Sequence, residues 1–288
     1  MRLGVTANTH RVGAKEALTA VQTWGKLGGH ELILCDDLKP IATDHTNFCK
    51  DTELPAKSDF IVSMGGDGTI LNTARAVGSS GVPILGINLG SLGFLTQRTP
   101  AQIGTSLDAI VAGNFQIEER MLLKAVSMGR FKLSVPYALN DVVIDRGPST
   151  RLLDINLRVN GEEVVTYKAD GLIIATPTGS TAYSLAVGGP IIHPKNDNMI
   201  AAPIAPFSLT TRPMIFSGDD IIELQLMPRP EEAHLTLDGQ IGIAIRSGEL
   251  IRISRAEYRV KFVTFPESSY YKLLRNKLHW GVPPNFRA

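Results

Sequence analysis

Little in this 288-residue chain points to a membrane, a disulfide framework or a nucleic acid. No apolar run approaches the roughly 20 residues that a bilayer-spanning helix needs. The opening residues Met1-Arg2-Leu3-Gly4-Val5 enter a strand pattern directly, without the apolar segment of a secretory signal. The two cysteines, Cys35 and Cys49, cannot staple so long a chain and lack metal-ligand spacing, so they read as thiols of a reducing compartment. The six histidines also lack zinc spacing, and no metal site built by protein side chains alone is expected. Lysine and arginine number 29 against 28 acidic residues, and a net charge of +1 removes any global electrostatic case for nucleic acid or an anionic membrane. Three nucleotide and hydrolase signatures are missing as well. There is no lysine-bearing phosphate loop and no serine elbow, and the Gly-x-Gly-x-x-Gly fingerprint fails because Leu71 takes its last glycine position. A soluble cytoplasmic protein is the expectation.

What the chain does have is ordinary globular composition, 43% apolar and 20% charged, in a length that accommodates two domains. Residues 1–115 alternate strand and helix. Leu3, Val5 and Ala7 suit a strand; Ala14, Ala17, Leu18, Val21, Gly25 and Gly28 recur at helical spacing. Strand-like runs at 32–34, 60–64 and 82–87 follow, with helical patterns at 67–77 and 103–111 and a polar loop over 36–57. Strands alternating with helices imply parallel βαβ units, here a Rossmann-like α/β domain. From residue 116 the period changes. Short β-branched runs recur at 122–128, 131–135, 141–144, 153–159, 164–167, 172–175, 221–226, 234–237, 241–245, 250–254 and 258–265, with a hairpin signal at Asn160-Gly161. They predict a β-sandwich-like domain over 116–268, interrupted by a helix at 179–187. A helical tail over 269–288, with Tyr271, Leu274 and Leu278 on one face, is expected to return to the first domain.

The strongest chemical signal is Gly65-Gly66-Asp67-Gly68-Thr69, directly after the apolar run at 60–64 and directly before a helical pattern. Glycines at a strand end let backbone N–H groups approach an anion, and the helix start favours negative charge. A carboxylate there repels phosphate unless a metal bridges the two or Asp67 takes a proton from a reacting hydroxyl. Both belong to phosphoryl transfer.

Three further segments admit two readings each. Asn140-Asp141 interrupts an apolar stretch, either as a ligand-binding pair or as a bulge at a strand end. Residues 169–184 run from Ala169-Asp170-Gly171 through Thr176-Pro177-Thr178-Gly179-Ser180-Thr181-Ala182-Tyr183-Ser184. Ser180 and Thr181 fall where helix N-caps belong, yet capping does not account for so many hydroxyls. Tyr183 is either a stacking platform for a base or a core aromatic. Asp238-Gly239-Gln240 is either an ordinary hairpin turn or part of a site.

Taken together these segments resemble the NAD kinase family. The string at 65–69 is shared with diacylglycerol and sphingosine kinases, and a related one with phosphofructokinases. The run from Asp170 to Gly188-Gly189-Pro190-Ile191-Ile192-His193-Pro194 is far more specific, and Asn88-Leu89-Gly90-Ser91-Leu92-Gly93-Phe94-Leu95 also has the family's look. The resemblance implies phosphorylation of the adenosine ribose 2′-hydroxyl of NAD, by ATP or polyphosphate with Mg²⁺, in a homodimer or homotetramer. It implies Asp67 as general base or orienting group, with the donor over Gly66, Gly68 and Thr69. Asn140 and Asp141 would contact the adenosine part of NAD. Thr181, Ala182, Tyr183 and Ser184 would line the dinucleotide site, Asp170 would reach NAD in a neighbouring subunit, and Asp238 would lie near the reacting phosphate. Two departures stand out: Asn8-Thr9-His10 where Asn-Pro is usual, and Pro206-Phe207-Ser208-Leu209 where Pro-His-Thr-Leu is common. A lipid kinase leaves residues 176–194 unexplained, and a non-catalytic sensor has no need of Asp67.

Overall fold

The computed structural model describes residues 1–43, 47–91, 93–96, 98–129, 132–228 and 232–280. The chain forms two compact units, Met1–Glu118 with Val260–Ala288, and Glu119–Arg259.

The first unit runs β1 (Arg2–Ala7), α1 (Ala14–Gly28), β2 (Glu31–Cys35), β3 (Phe48–Cys49), α2 (Leu54–Lys57), β4 (Phe60–Gly65), α3 (Asp67–Val77), β5 (Ile84–Asn88) and α4 (Ile103–Val111). Its strands are parallel in the order β5-β4-β1-β2-β3, with Val5 opposite Val62 and Leu34, and Val62 opposite Leu85. Leu3, Val5, Val62, Met64, Leu85 and Ile87 are buried on one face of this sheet, and Gly4, Ile33, Ile61, Ser63 and Ile84 on the other. That explains why these strands read as continuous apolar runs and not as alternation. Burying each such side chain contributes about 1.5–3 kcal/mol. The C-terminal ends of β1, β4 and β5 lie side by side, the edge at which open α/β sheets bind ligands. The stretch 36–57, expected as loop, holds a 3₁₀ turn at Asp36–Leu38 together with β3 and α2. Its apolar anchors Leu38, Cys49 and Leu54 are buried but too widely spaced to show a period.

β6 (Gln116–Ser127) leads into the second unit. There follow β7 (Tyr137–Ala138), β8 (Asp141–Asp145), β9 (Leu153–Val159), β10 (Glu162–Ala169), β11 (Gly171–Ala175), α5 (Tyr183–Ala186), β12 (Asn198–Ile204), β13 (Met214–Ser217), β14 (Ile222–Leu226), β15 (Glu232–Leu237), β16 (Ile241–Arg246) and β17 (Leu250–Thr264). One antiparallel sheet has the order β13-β12-β11-β8-β15-β16; β10, β9, β14 and β17 pair antiparallel in a second. Val142, Ile144, Leu172, Ile174 and Leu235 from the first sheet share a core with Ile155, Leu157, Leu224, Ile251 and Ile253 from the second. This is the expected sandwich.

Several local expectations are corrected. The runs at 250–254 and 258–265 form one strand, β17. Its charged middle is satisfied by ion pairs of Arg255 with Asp197 and Asp219 and of Glu257 with Lys124. Residues 132–135 form no strand, and Phe131 lies outside the described residues. β12 was not anticipated because Pro203 sits inside it and proline disfavours strands. The helix expected at 179–187 is a 3₁₀ turn, Gly179–Thr181, followed by the single turn of α5.

The chain then returns to the first unit, within β17 and not at residue 269 as expected; an uninterrupted strand gives no sequence signal at that crossing. Phe262 pairs in parallel with Ile84 of β5, and Val263 and Phe265 join the first unit's core. A final helix, α6 (Tyr270–Leu278), is N-capped by Ser269, whose hydroxyl accepts from Lys272 N at 3.3 Å. It buries Leu273 and Leu274, while Tyr271, expected on the inner face, is exposed.

Candidate functional site

In the first unit the glycine segment ends β4 and starts α3. Gly66 is extended (φ −111°, ψ −173°), and no side chain caps the helix behind it. Asp67 is the first helical residue, half-buried, in the turn where the helix dipole favours a negative group. Its carboxylate is gripped from across the sheet edge. Phe94 N donates to Oδ2 at 2.8 Å, Leu95 N to Oδ1 at 3.0 Å, and the Thr96 hydroxyl lies 3.4 Å from Oδ1. A carboxylate offers about four lone-pair sites, so the grip leaves room for one more strong partner. A Cβ at residue 93 would overlap Asp67 Oδ1, so the close approach depends on Gly93.

The gripping loop is itself held by Asn88, buried at the end of β5, whose Oδ1 accepts from Gly90 N and whose Nδ2 donates to Ser91 O, both at 2.6 Å. Leu92, in the same run, lies outside the described residues. Lys277 of α6 reaches the Phe94 ring, with Nζ 5.7 Å from its centre. Gly68 and Thr69 occupy the first turn of α3, with Thr69 N bonded to Gly66 O at 3.0 Å.

In the second unit, three separated segments meet at residues 139–141. Asp238 and Gly239 form the left-handed turn (φ 52° and 63°) between β15 and β16, as a plain hairpin would. The Asp238 carboxylate nevertheless accepts from Leu139 N at 3.0 Å, Asn140 N at 2.7 Å and Asp141 N at 3.2 Å. The same turn is tied to the hydroxyl-rich run. Thr176 N donates to Asn140 O at 2.8 Å, the Thr176 hydroxyl to Leu139 O at 2.6 Å, and Gly179 N to the Thr176 hydroxyl at 3.0 Å. A Cβ at Gly179 would overlap Asn140 O. Asn140-Asp141 is therefore a strand-end turn whose backbone is spent on structure, while the Asn140 amide has no partner among the described residues. Asp141 is buried beside Asp238; burial first, and the neighbouring negative charge second, push its carboxyl up to about 7.

Ser180 and Thr181 are not helix caps. The Ser180 hydroxyl donates to Pro177 O at 2.6 Å and accepts from Ile192 N at 3.1 Å, pinning the turn to the 188–194 return. The Thr181 hydroxyl bonds Thr178 O at 3.2 Å. Tyr183 is no core aromatic: its ring is 45% exposed. Ala182 is half-buried beside it, and Ser184 is fully buried with a hydroxyl that finds no partner among the described residues. Asp170 is not brought to this cluster. It precedes β11, at the opposite end of that strand from Thr176, roughly 20 Å away at strand rise, and its Oδ1 accepts from Arg146 Nε at 2.6 Å.

Sequence reasoning missed two contributors. Gly93 and its neighbours stood inside a noted run, but nothing local says that the run closes on Asp67. Arg11, in the loop after β1, carries no motif. Its guanidinium lies over the glycine segment, with Nη2 3.9 Å from the position of a Cβ on Gly66 and Nη1 3.7 Å from that on Gly90. Among the described residues no group of three or more His, Cys, Asp or Glu side chains is placed to hold a metal.

Residues 9–115 match the family described as the ATP-NAD kinase N-terminal domain, and residues 139–265 the one described as the ATP-NAD kinase C-terminal domain. An NAD kinase of Geotalea daltonii is 42% identical over 259 residues, 87% of this chain and 91% of its own. Another, of Desulforamulus reducens, is 46% identical over 227 residues, 78% and 79% of the two chains. A yeast NADH kinase solved with NADH covers 100% of this chain and 90% of its own at a TM-score of 0.91 and 24% identity, a likeness of fold. An NAD kinase of Archaeoglobus fulgidus solved with ATP covers 97% and 99% at a TM-score of 0.78 and 28% identity.

Proposed function

Because the chain belongs to the NAD kinase family, and so is an enzyme that phosphorylates NAD to NADP with ATP as donor, we propose that its two units divide the reaction. The first, through Gly66, Asp67, Gly68 and Thr69, handles the donor phosphates and the reacting hydroxyl. The second, through Asn140, Asp141, Thr181, Ala182, Tyr183 and Ser184, binds the dinucleotide.

The observation that carries the reading is the grip on Asp67: a carboxylate fixed by two backbone N–H groups at a strand–helix turn, with one acceptor site left. That site accepts the hydrogen bond of the adenosine ribose 2′-hydroxyl and orients it. The 2′-oxygen attacks the terminal phosphorus of ATP, and the bond from that phosphorus to the bridging oxygen breaks. Its electron pair leaves with ADP, and the hydroxyl proton passes to Asp67. Acid–base help of this kind contributes about 10²–10⁴ in rate. A magnesium ion arriving with ATP would neutralise phosphate charge there, as in other phosphoryl transfers, with Asp67 as the carboxylate that loop supplies.

In the second unit the free Asn140 amide suits hydrogen bonding to adenosine, and the exposed Tyr183 ring suits stacking on a base. Asp238 acts through the backbone it organises, as a positioning residue. Asp170, far from this cluster along β11, fits a contact with NAD bound by a neighbouring subunit, which makes a homodimer or homotetramer part of the proposal. A cytoplasmic location completes it. The test is direct: purified protein with NAD, ATP and Mg²⁺, followed by NADP measured with a coupled dehydrogenase. NADP formation that depends on both nucleotides upholds the reading; none overturns it. Replacing ATP by polyphosphate in the same assay identifies the donor, and chromatography with light scattering reads the assembly.

A further inference from the structure

The chain lacks the lysine that a phosphate loop normally supplies, and the structure assigns that cationic role to Arg11, which we propose grips the polyphosphate of the donor. The inference rests on the reading of residues 65–69 as the donor loop.

Three observations carry it. First, the position is fixed by backbone. Asn8 N donates to Met64 O of β4 at 2.9 Å, Arg11 N to Asn8 O at 3.1 Å, and Ala14 N to Arg11 O at 3.1 Å. The loop after β1 is thus tied to the end of the strand that delivers Asp67. Second, the guanidinium spans two neighbouring strand ends, with Nη2 3.9 Å from where a Gly66 Cβ would stand and Nη1 3.7 Å from where a Gly90 Cβ would stand. It lies on a floor of bare backbone at the C-terminal edge of the sheet, beside the start of α3. Third, Arg11 is exposed, and its side chain has no hydrogen bond or ion pair among the described residues. The Asp67 oxygens accept from Phe94 N and Leu95 N, and neither is bonded to Arg11.

A planar fork of donors left uncommitted over a glycine floor matches the geometry of a phosphate group, which arginine binds through two parallel hydrogen bonds. Of the two substrates, the one with a run of phosphates belonging over residues 65–69 is the donor. The unusual Asn8-Thr9-His10 opening of this loop therefore leaves its function intact, because the contact comes from Arg11 one residue later.

The test measures initial rates of wild type, Arg11→Met and Arg11→Lys against ATP and against NAD, with Asp67→Asn alongside. Arg11→Met removes a charge-assisted contact to the donor and should lower kcat/KM for ATP at least about 10-fold. The KM for NAD should change less than about twofold on the same reasoning, since the contact is made to the donor alone. Arg11→Lys should recover part of the loss, keeping the charge without the fork. Inorganic tripolyphosphate should raise the Tm of the wild type but not of Arg11→Met, a readout independent of turnover. An unchanged kcat/KM for ATP in Arg11→Met beside an inactive Asp67→Asn removes Arg11 alone. A shift confined to the KM for NAD assigns Arg11 to the acceptor and overturns the inference. Wild-type rates in Asp67→Asn remove the donor loop itself, and Arg11 with it.

Discussion

Two aspartates in this molecule are held in the same way for different ends. Asp67 and Asp238 each sit at a sharp turn, and each carboxylate accepts from backbone N–H groups of a distant segment: two from residues 94–95 for Asp67, three from residues 139–141 for Asp238. Asp67 stands half-buried at a helix start with bare glycine around it and acceptor capacity to spare. Asp238 lies in a hairpin turn, and its oxygens order a stretch of chain. A carboxylate flanked by bare glycine is suited to meet substrate; one bound to three successive N–H groups of its own protein is suited to shape what meets substrate.

Substitutions at the two sites should therefore fail differently. The largest effect is expected from Asp67→Asn. Turnover should fall at least about 100-fold while circular dichroism and the KM for NAD stay near wild type. Near-normal turnover would reduce Asp67 to a second Asp238.

Next comes Asp238→Ala. It leaves three backbone donors without their acceptor, at about 1–3 kcal/mol for each that stays buried. The Tm should drop by several degrees, and the KM for NAD should rise about tenfold as the Asn140 turn loosens, on the same scale. A variant with unchanged Tm and NAD affinity would show the grip to be incidental.

Asp141 sharpens the contrast through pH. Its carboxyl, pushed up to about 7 by burial and by Asp238, holds its proton more tightly in the folded protein than in the unfolded chain, where the ordinary value is 3.8. Between about pH 4 and pH 7 the native state thus binds more protons, and stability should fall as pH rises through that window, by up to roughly 1.4 kcal/mol per unit of difference. Denaturant titrations of wild type and Asp141→Asn across this range read it directly. The variant should lose much of the slope, and parallel profiles would separate Asp141 from the effect.

The smallest effect belongs to Asn140→Ala. Its backbone is retained and its amide has no protein partner, so Tm should stay within about 1 °C, as for surface substitutions away from structural features. The KM for NAD should rise several-fold, the scale of one lost hydrogen bond. An unchanged KM would leave Asn140 a turn residue and nothing more.

The strand–helix turn at 65–69 was legible because its elements are contiguous: an apolar strand, glycines, a carboxylate and a helix follow one another in sequence. Fold class was legible for the same reason, since the periods of helix and strand are local. The grips were not. Asp67 meets residues 27 and 28 positions away, and Asp238 meets residues 97 to 99 positions away, and such contacts leave no periodic trace. Tyr183, taken alone, reads more readily as a core aromatic than as a stacking platform, and only its exposure corrects that. Arg11 was invisible because an arginine in a polar loop is ordinary; what sets it apart is the pair of glycines beneath it. β17 hid the return to the first unit because a strand reads the same whichever unit its pairing partners belong to.

That return has a consequence for how the protein comes into being. The outer side of β5 waits for Phe262, and the core it borders waits for Val263 and Phe265. Synthesis delivers every residue of the intervening sandwich before these three. Domains fold as units while the chain is still emerging, and an unpaired strand edge invites pairing with strangers. A nascent chain that has finished residues 119–259 still carries a first unit whose β5 edge is unpaired, so that unit is the last of the two to be completed.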